Sequence, residues 1–234
     1  MPQISVDGTS IYYEINGKGH PLVFIHAGGL ESSSWNAQVD YFSERYQVIT
    51  YDIRGHGQSR IPQSNFTVGD CVDDLHHLIS RLGIEKTYLA GISMGGYIAI
   101  SYTLRCPEKV AGLILTASNS GPLTDTVVQM AEEMTQRMRS IKVSANTPNY
   151  MRAYDANIDR PDLTGRLSEI RQPVLIIVGE LDMAAPVHIS EKMHRRLANS
   201  QLNVFSHCGH LCNQEQPDRY NSIVGDFLQR VEAA

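Results

Sequence analysis

No run of about 18 apolar residues occurs in this 234-residue chain, which excludes a membrane-spanning helix by length. The N-terminus, Met-Pro-Gln-Ile-Ser-Val-Asp-Gly, lacks a basic start followed by an apolar core, so a cytoplasmic protein is expected. Positive charge is scarce: 20 Lys and Arg against 25 Asp and Glu give a formal charge of −5, with no Lys/Arg-rich run. That balance excludes the electrostatic footprint of a nucleic-acid partner or an anionic membrane surface and leaves a small molecule as the expected partner. Four cysteines, Cys71, Cys106, Cys208 and Cys212, show no Cys-x-x-Cys spacing, so neither a zinc site nor a dithiol redox motif is indicated. Reduced structural thiols are expected, two of them flanking His210. Internal repeats and low-complexity segments are missing too. The length suits one α/β domain that needs no staples.

What is present is an alternation of strand and helix patterns. Residues 3–15 read as two antiparallel strands joined at Asp7-Gly8. Apolar strands follow at 21–26, 47–51, 86–90, 110–117, 173–178 and 201–205, with helical patterns at 34–46, 67–82, 95–105 and 187–197 and from Pro217 onward. The 67–82 helix begins on a capping box from Thr67 to Asp70, and the last helix is expected to bury Tyr220, Ile223, Val224, Phe227 and Val231. Apolar strands alternating with helices predict a mostly parallel sheet covered on both faces. Residues 119–168 interrupt the alternation with one amphipathic helix carrying Val127, Met130, Met134, Met138 and Ile141, then a polar stretch. The expected organisation is therefore a core of 1–118 and 169–234 with a short helical lid at 119–168. Met130, Met134 and Met138 are candidate substrate-binding residues there, and surface exposure is expected of Arg137, Arg139, Arg152 and Arg160.

The chemistry centres on Leu89 to Tyr97, where Ser93 stands between Gly91 and Gly95 as a strand becomes a helix. Gly-x-Ser-x-Gly is weak alone, but in this context it predicts an exposed hydroxyl on a strained turn. A serine hydroxyl needs a base and a group that orients the base. His210 is the expected base, on the loop after the last strand, with His207 as competitor. Asp182 is the expected acid, on the loop after strand 173–178, with Glu180 as competitor. The oxyanion donors are expected to be the N–H groups of Met94 and of Gly28 or, alternatively, Gly29, in the loop His26-Ala27-Gly28-Gly29. Asp52 and Arg54, in Asp-Ile-Arg-Gly-His-Gly-Gln-Ser at 52–59, are expected to hold loops beneath the site. His76 and His77 are neighbours on a helix and point about 100° apart, so they are not expected to share a metal.

These motifs together resemble the α/β-hydrolase family, specifically its lidded small-molecule branch. The resemblance rests on His-Ala-Gly-Gly at 26–29, the 52–59 motif, Gly-x-Ser-x-Gly-Gly at 91–96, Gly-Glu-x-Asp-x-x-x-Pro at 179–186, and Gly-His at 209–210 with Glu215 and Pro217 after it. It implies an eight-stranded sheet, a Ser93-Asp182-His210 triad, and no cofactor or metal. Serine at 93 argues against the aspartate-nucleophile branches. Ala27 replaces a usual glycine, and the lid is short for this branch. Carboxylesterases and enol-lactonases of the 3-oxoadipate type are the nearest resemblance in activity, so cleavage of a small ester or lactone is expected. Carbon-carbon bond hydrolases of dienoic acids, cofactor-free haloperoxidases, thioesterases and slow-turnover receptors use the same motif set and are the alternatives.

Overall fold

In the computed structural model, a mostly parallel sheet is covered by apolar cores on both faces. Residues 2–6, 8–60, 65–123, 125, 128–129, 133 and 155–233 are described. Among them eight strands form one sheet in the order β1-β2-β4-β3-β5-β6-β7-β8. They are β1 (Gln3–Val6), β2 (Thr9–Asn16), β3 (His20–Ile25), β4 (Tyr46–Tyr51), β5 (Thr87–Ile92), β6 (Val110–Thr116), β7 (Val174–Gly179) and β8 (Ser200–Phe205). The first hairpin is antiparallel to its neighbours, and every pair from β4-β3 onward is parallel.

Successive strand residues feed opposite faces, as period-two geometry requires. Val23, Ile25, Leu89, Leu113 and Ile176 join one core with Val72, Leu75 and Ile79 of α2 (Val68–Arg81) and Ile98 and Tyr102 of α3 (Met94–Arg105). Leu22, Phe24, Tyr88, Ile114 and Leu175 join the other with Phe42 of α1 (Asn36–Phe42) and with Tyr220, Val224 and Phe227 of α6 (Pro217–Glu232). Two shorter helices, α4 (Val187–His194) and α5 (Cys212–Glu215), flank the last strands.

Element order follows the sequence reading apart from α5, which the sequence reading did not include, with three further differences of detail. The pattern at 34–46 splits into a 3-10 turn (Ser32–Trp35) and α1, which stops at Phe42 because Tyr46 is claimed by β4, where it pairs with His20. α4 likewise ends at His194, short of 197. In α6 the buried face includes Asn221 and Leu228, while Ile223 and Val231 are only partly covered. The Thr67 capping box is present, with Thr67 Oγ1 accepting from the Asp70 N–H and Asp70 Oδ2 accepting from the Thr67 N–H.

Most of the segment read as a lid lies outside the described residues, including Met130, Met134, Met138, Arg137, Arg139 and Arg152. Its two ends are described and are stitched to each other. Ser120 O accepts the Leu163 N–H at 2.8 Å, and the Ser120 and Thr164 hydroxyls pair at 3.0 Å. Arg160 differs from expectation: it is buried, donating to Gly121 O, Asn119 O and Asn157 Oδ1, with its guanidinium 4.6 Å from the centre of the Tyr97 ring. Burial lowers its pKa to about 10, so it keeps its charge at neutral pH. Among the described residues, no helix is long and apolar enough to cross a membrane.

Candidate active site

Strand order decides which loops meet. β3 lies between β4 and β5, so the loops after β3 and β5 are neighbours, and β7 pairs with β8, so the loops after those strands are too. Ligands of parallel α/β sheets bind at such carboxyl ends.

Ser93 sits between β5 and α3 with φ 54° and ψ −115°, a conformation that L residues rarely adopt. Its N–H is held by Thr116 O at 2.9 Å and its carbonyl by the Tyr97 N–H at 3.1 Å, so both sides of the turn are fixed. The turn is tight enough to demand glycine around it. A Cβ on Gly91 would lie 2.3 Å from Gly95 O, one on Gly95 2.2 Å from Ile25 O, and one on Gly96 1.8 Å from Ser118 Oγ. Gly91 and Gly95 are thus required for space, as the sequence suggested, and Gly96 joins them. Ser93 is half-buried, and its hydroxyl has no hydrogen-bond partner among the described residues.

His210 and Asp182 meet across the β7-β8 ends, with His210 Nδ1 2.8 Å from Asp182 Oδ2. The Asp182 side chain is fully buried and that of His210 is 28% exposed. Asp182 Oδ1 accepts the N–H groups of Ala184 and Ala185 at 2.8 and 2.9 Å. A carboxylate oxygen in this position accepts from a ring protonated at Nδ1, which orients the imidazole. The competitors have other tasks. Glu180 Oε2 accepts the His207 N–H at 3.1 Å, and His207 is exposed on a strained turn with φ 54°. Glu215 accepts the N–H groups of Gly209 and Leu211 at 2.7 and 3.0 Å, gripping the loop on both sides of His210. That grip was visible in sequence only as a recurring motif residue.

Gly28 and Met94 are brought together: a Cβ on Gly28 would lie 3.4 Å from Met94 Sδ. Neither N–H has a partner among the described residues. The Gly29 N–H, by contrast, is spent on His56 Nε2 at 3.0 Å. Asp52 is buried and accepts from the Ser32 and Gln58 N–H groups, both at 2.7 Å, which joins the loop after β3 to the loop after β4. Arg54 reaches elsewhere, forming a two-point pair with Asp74 of α2 at 2.6 Å for each bond. All four cysteines are free and buried, and burial is the main cause raising the Cys208 and Cys212 thiols above their usual range.

Ser93 on its strained turn, the His210–Asp182 pair and the Gly28 and Met94 backbone all lie at carboxyl ends of strands in one mostly parallel sheet, where ligands of α/β folds bind. The chain belongs to the α/β-hydrolase fold family, whose model matches residues 20–154. Its similarity extends to the 2-hydroxy-6-oxononadienedioate/2-hydroxy-6-oxononatrienedioate hydrolase of Burkholderia vietnamiensis. The two are 28% identical over 271 aligned residues, covering 96% of this chain and 93% of that protein. 3-Oxoadipate enol-lactonase 1 of Acinetobacter baylyi is 26% identical, with 96% and 95% covered. Among solved structures, a thermophilic esterase from Thermogutta terrifontis superposes with a TM-score of 0.88 at 27% identity, with 99% of each chain covered.

Proposed function

We propose that this protein is a serine hydrolase that cleaves a small carboxylic ester or lactone through an acyl-enzyme intermediate. The observation that carries this reading is Ser93 itself, held at φ 54° where β5 turns into α3. A strained non-glycine residue at that junction is worth its cost when its side chain must project above the sheet. In this reading Ser93 Oγ attacks the carbonyl carbon while His210 Nε2 takes its proton. Asp182 accepts the Nδ1–H throughout and stabilises the imidazolium. The Gly28 and Met94 N–H groups receive the oxyanion, each contributing about 3 kcal/mol to lowering the barrier. Collapse expels the alkoxide, which leaves as the alcohol with the proton from His210. Water, deprotonated by the same nitrogen, then releases the acid and restores Ser93.

The enol-lactonase and esterase relatives support an ester or lactone substrate. A second reading, hydrolysis of a carbon-carbon bond in a dienoic acid, is favoured by the name of the Burkholderia relative. We further propose that 119–168 is a lid over this site, too short to wall a long tunnel, which limits acyl groups to about two to six carbons.

The test is turnover of a panel of aryl esters of increasing acyl length, lactones and dienoates, with Ser93→Ala as control. We expect ester or lactone turnover that Ser93→Ala abolishes without loss of the folded state, and a serine-directed phosphonate that labels Ser93 alone. A folded Ser93→Ala protein with near wild-type activity would end the serine mechanism. Turnover confined to dienoates would move the substrate class to the second reading.

A further inference from the structure

The loop that offers the Gly28 N–H is built from residues that do not hold themselves in place. It contains two successive glycines, and Gly29 has φ +82°. A peptide between two glycines turns over at little steric cost. Within the loop itself, Ala27 O accepts the Leu30 N–H at 3.1 Å and lies 2.7 Å from His26 Nδ1, and no such contact reaches the Gly28-Gly29 peptide. On its outer side it faces a groove of about 710 Å³ whose lining includes Gly29, Leu30, Glu31, His56 and Gln214, so close packing does not clamp it from there. Its Gly29 and Ser32 N–H groups are held by the loop after β4. Asp52 Oδ1 accepts the Ser32 N–H, and His56 Nε2 accepts the Gly29 N–H. In the reverse direction the Ile53 N–H donates to His26 Nε2 at 2.9 Å.

We propose that His56 is the positioning residue of the oxyanion loop: by accepting the Gly29 N–H it fixes the peptide after Gly28 and selects the Gly28 N–H as the donor beside Met94. This rests on the serine-hydrolase reading above. The selection follows from valence, since an N–H already bonded to an imidazole nitrogen is not available to a developing oxyanion. The bond also dictates a tautomer. Nε2 accepts only in a neutral ring protonated at Nδ1, and Nδ1 lies 3.2 Å from Arg54 O, where its N–H is received. The groups facing the ring are His26, with ring centres 5.0 Å apart, and Asp52. Burial pushes the His56 pKa below its ordinary value, which keeps the ring neutral at neutral pH.

The experiment compares His56→Ala and His56→Gln in the full chain, with exposed His77→Ala as an unaffected control and Ser93→Ala as the blank. Four quantities are read: kcat and KM for an aryl acetate, inhibition by phenylboronic acid, which forms a tetrahedral anion on a serine, and amide exchange at Gly29. In His56→Ala we expect kcat to fall about 10- to 100-fold with KM within about threefold, because misplacing an oxyanion donor removes stabilisation of the transition state only. Boronate affinity should fall by a similar factor and Gly29 exchange should speed up. His56→Gln, whose side-chain oxygen accepts an N–H, should recover about tenfold of the lost kcat. Unchanged boronate affinity, or unchanged Gly29 exchange, in a folded His56→Ala protein overturns the proposal. An activity that persists in Ser93→Ala overturns the serine mechanism instead, and the Gly29 exchange still decides what His56 does.

Discussion

Asp182 divides its two oxygens between different partners, and that division predicts what an isosteric change would do. Oδ1 is committed to two backbone N–H groups and Oδ2 to His210 Nδ1. In Asp182→Asn the amide oxygen must stay with Ala184 and Ala185, so the NH₂ group faces His210 and its protons demand an acceptor at Nδ1. The imidazole proton is then driven to Nε2, where a base needs a lone pair. We expect kcat to fall by about 10⁴-fold with the fold preserved. Glu180→Gln keeps an acceptor for the His207 N–H and should leave kcat within about threefold of wild type, given the small net worth of one exposed bond. Steady-state kinetics on the two variants would settle the assignment, and the opposite ranking would transfer the acid's role to Glu180.

At the scale of elements, the elbow and the loop after β3 differ in how much a side chain can be accommodated. A Cβ on Gly95 meets the β3 backbone at Ile25 O, 2.2 Å away, whereas one on Gly28 meets only the Met94 side chain, 3.4 Å from Sδ and 3.8 Å from Cβ, at ordinary contact distance. Gly95→Ala should therefore destabilise by about 3 kcal/mol or more, and Gly28→Ala by less than about 1 kcal/mol. Urea midpoints measure both, and equal shifts would mean that the elbow relaxes more than its backbone contacts allow. The elements themselves were legible because β3, β5, β6 and β7 are continuous apolar runs bounded by turn residues, and because Thr67 and Asp70 announce α2. The turn position of Ser93 and the loop position of Asp182 were legible because each follows such a strand, and the loop position of His210 because it follows β8, the last strand before a helix. The His56-Gly29 and Asp52-Ser32 bonds were not, since they join residues 27 and 20 positions apart whose meeting depends on β4 lying beside β3. The burial of Arg160 escaped for a similar reason, as two of its three acceptors are backbone carbonyls, of Gly121 and Asn119, that no side-chain pattern marks.

For the molecule as a whole, His26 links folding to pH. It is wholly buried, and burial, with a smaller effect of His56, holds its pKa down at about 3. In the unfolded chain the ring regains an ordinary pKa near 6.5, so between these values the unfolded state carries a proton that the folded state refuses. The stability contributed is complete above the ordinary value and is lost as pH falls. From pH 8 to pH 5 His26 alone should cost about 2 kcal/mol of stability. Urea unfolding at both pH values should show a smaller acid loss in His26→Gln, and an equally steep loss there would locate the acid sensitivity elsewhere.

The stitched ends at 119–121 and 160–164 have a consequence for how such a chain diversifies. Asn119 and Arg160 are 41 positions apart yet bonded, so the chain leaves the sheet and returns to it through one doorway. The entropy of closing a loop grows only with the logarithm of its length, and the doorway bonds stay the same whatever hangs between them. The intervening segment is therefore a cartridge: its length and side chains can be exchanged without re-registering β6 against β7. On the lid reading proposed above, new substrates can be tried in this segment while the sheet and the loops at its carboxyl ends are inherited unchanged.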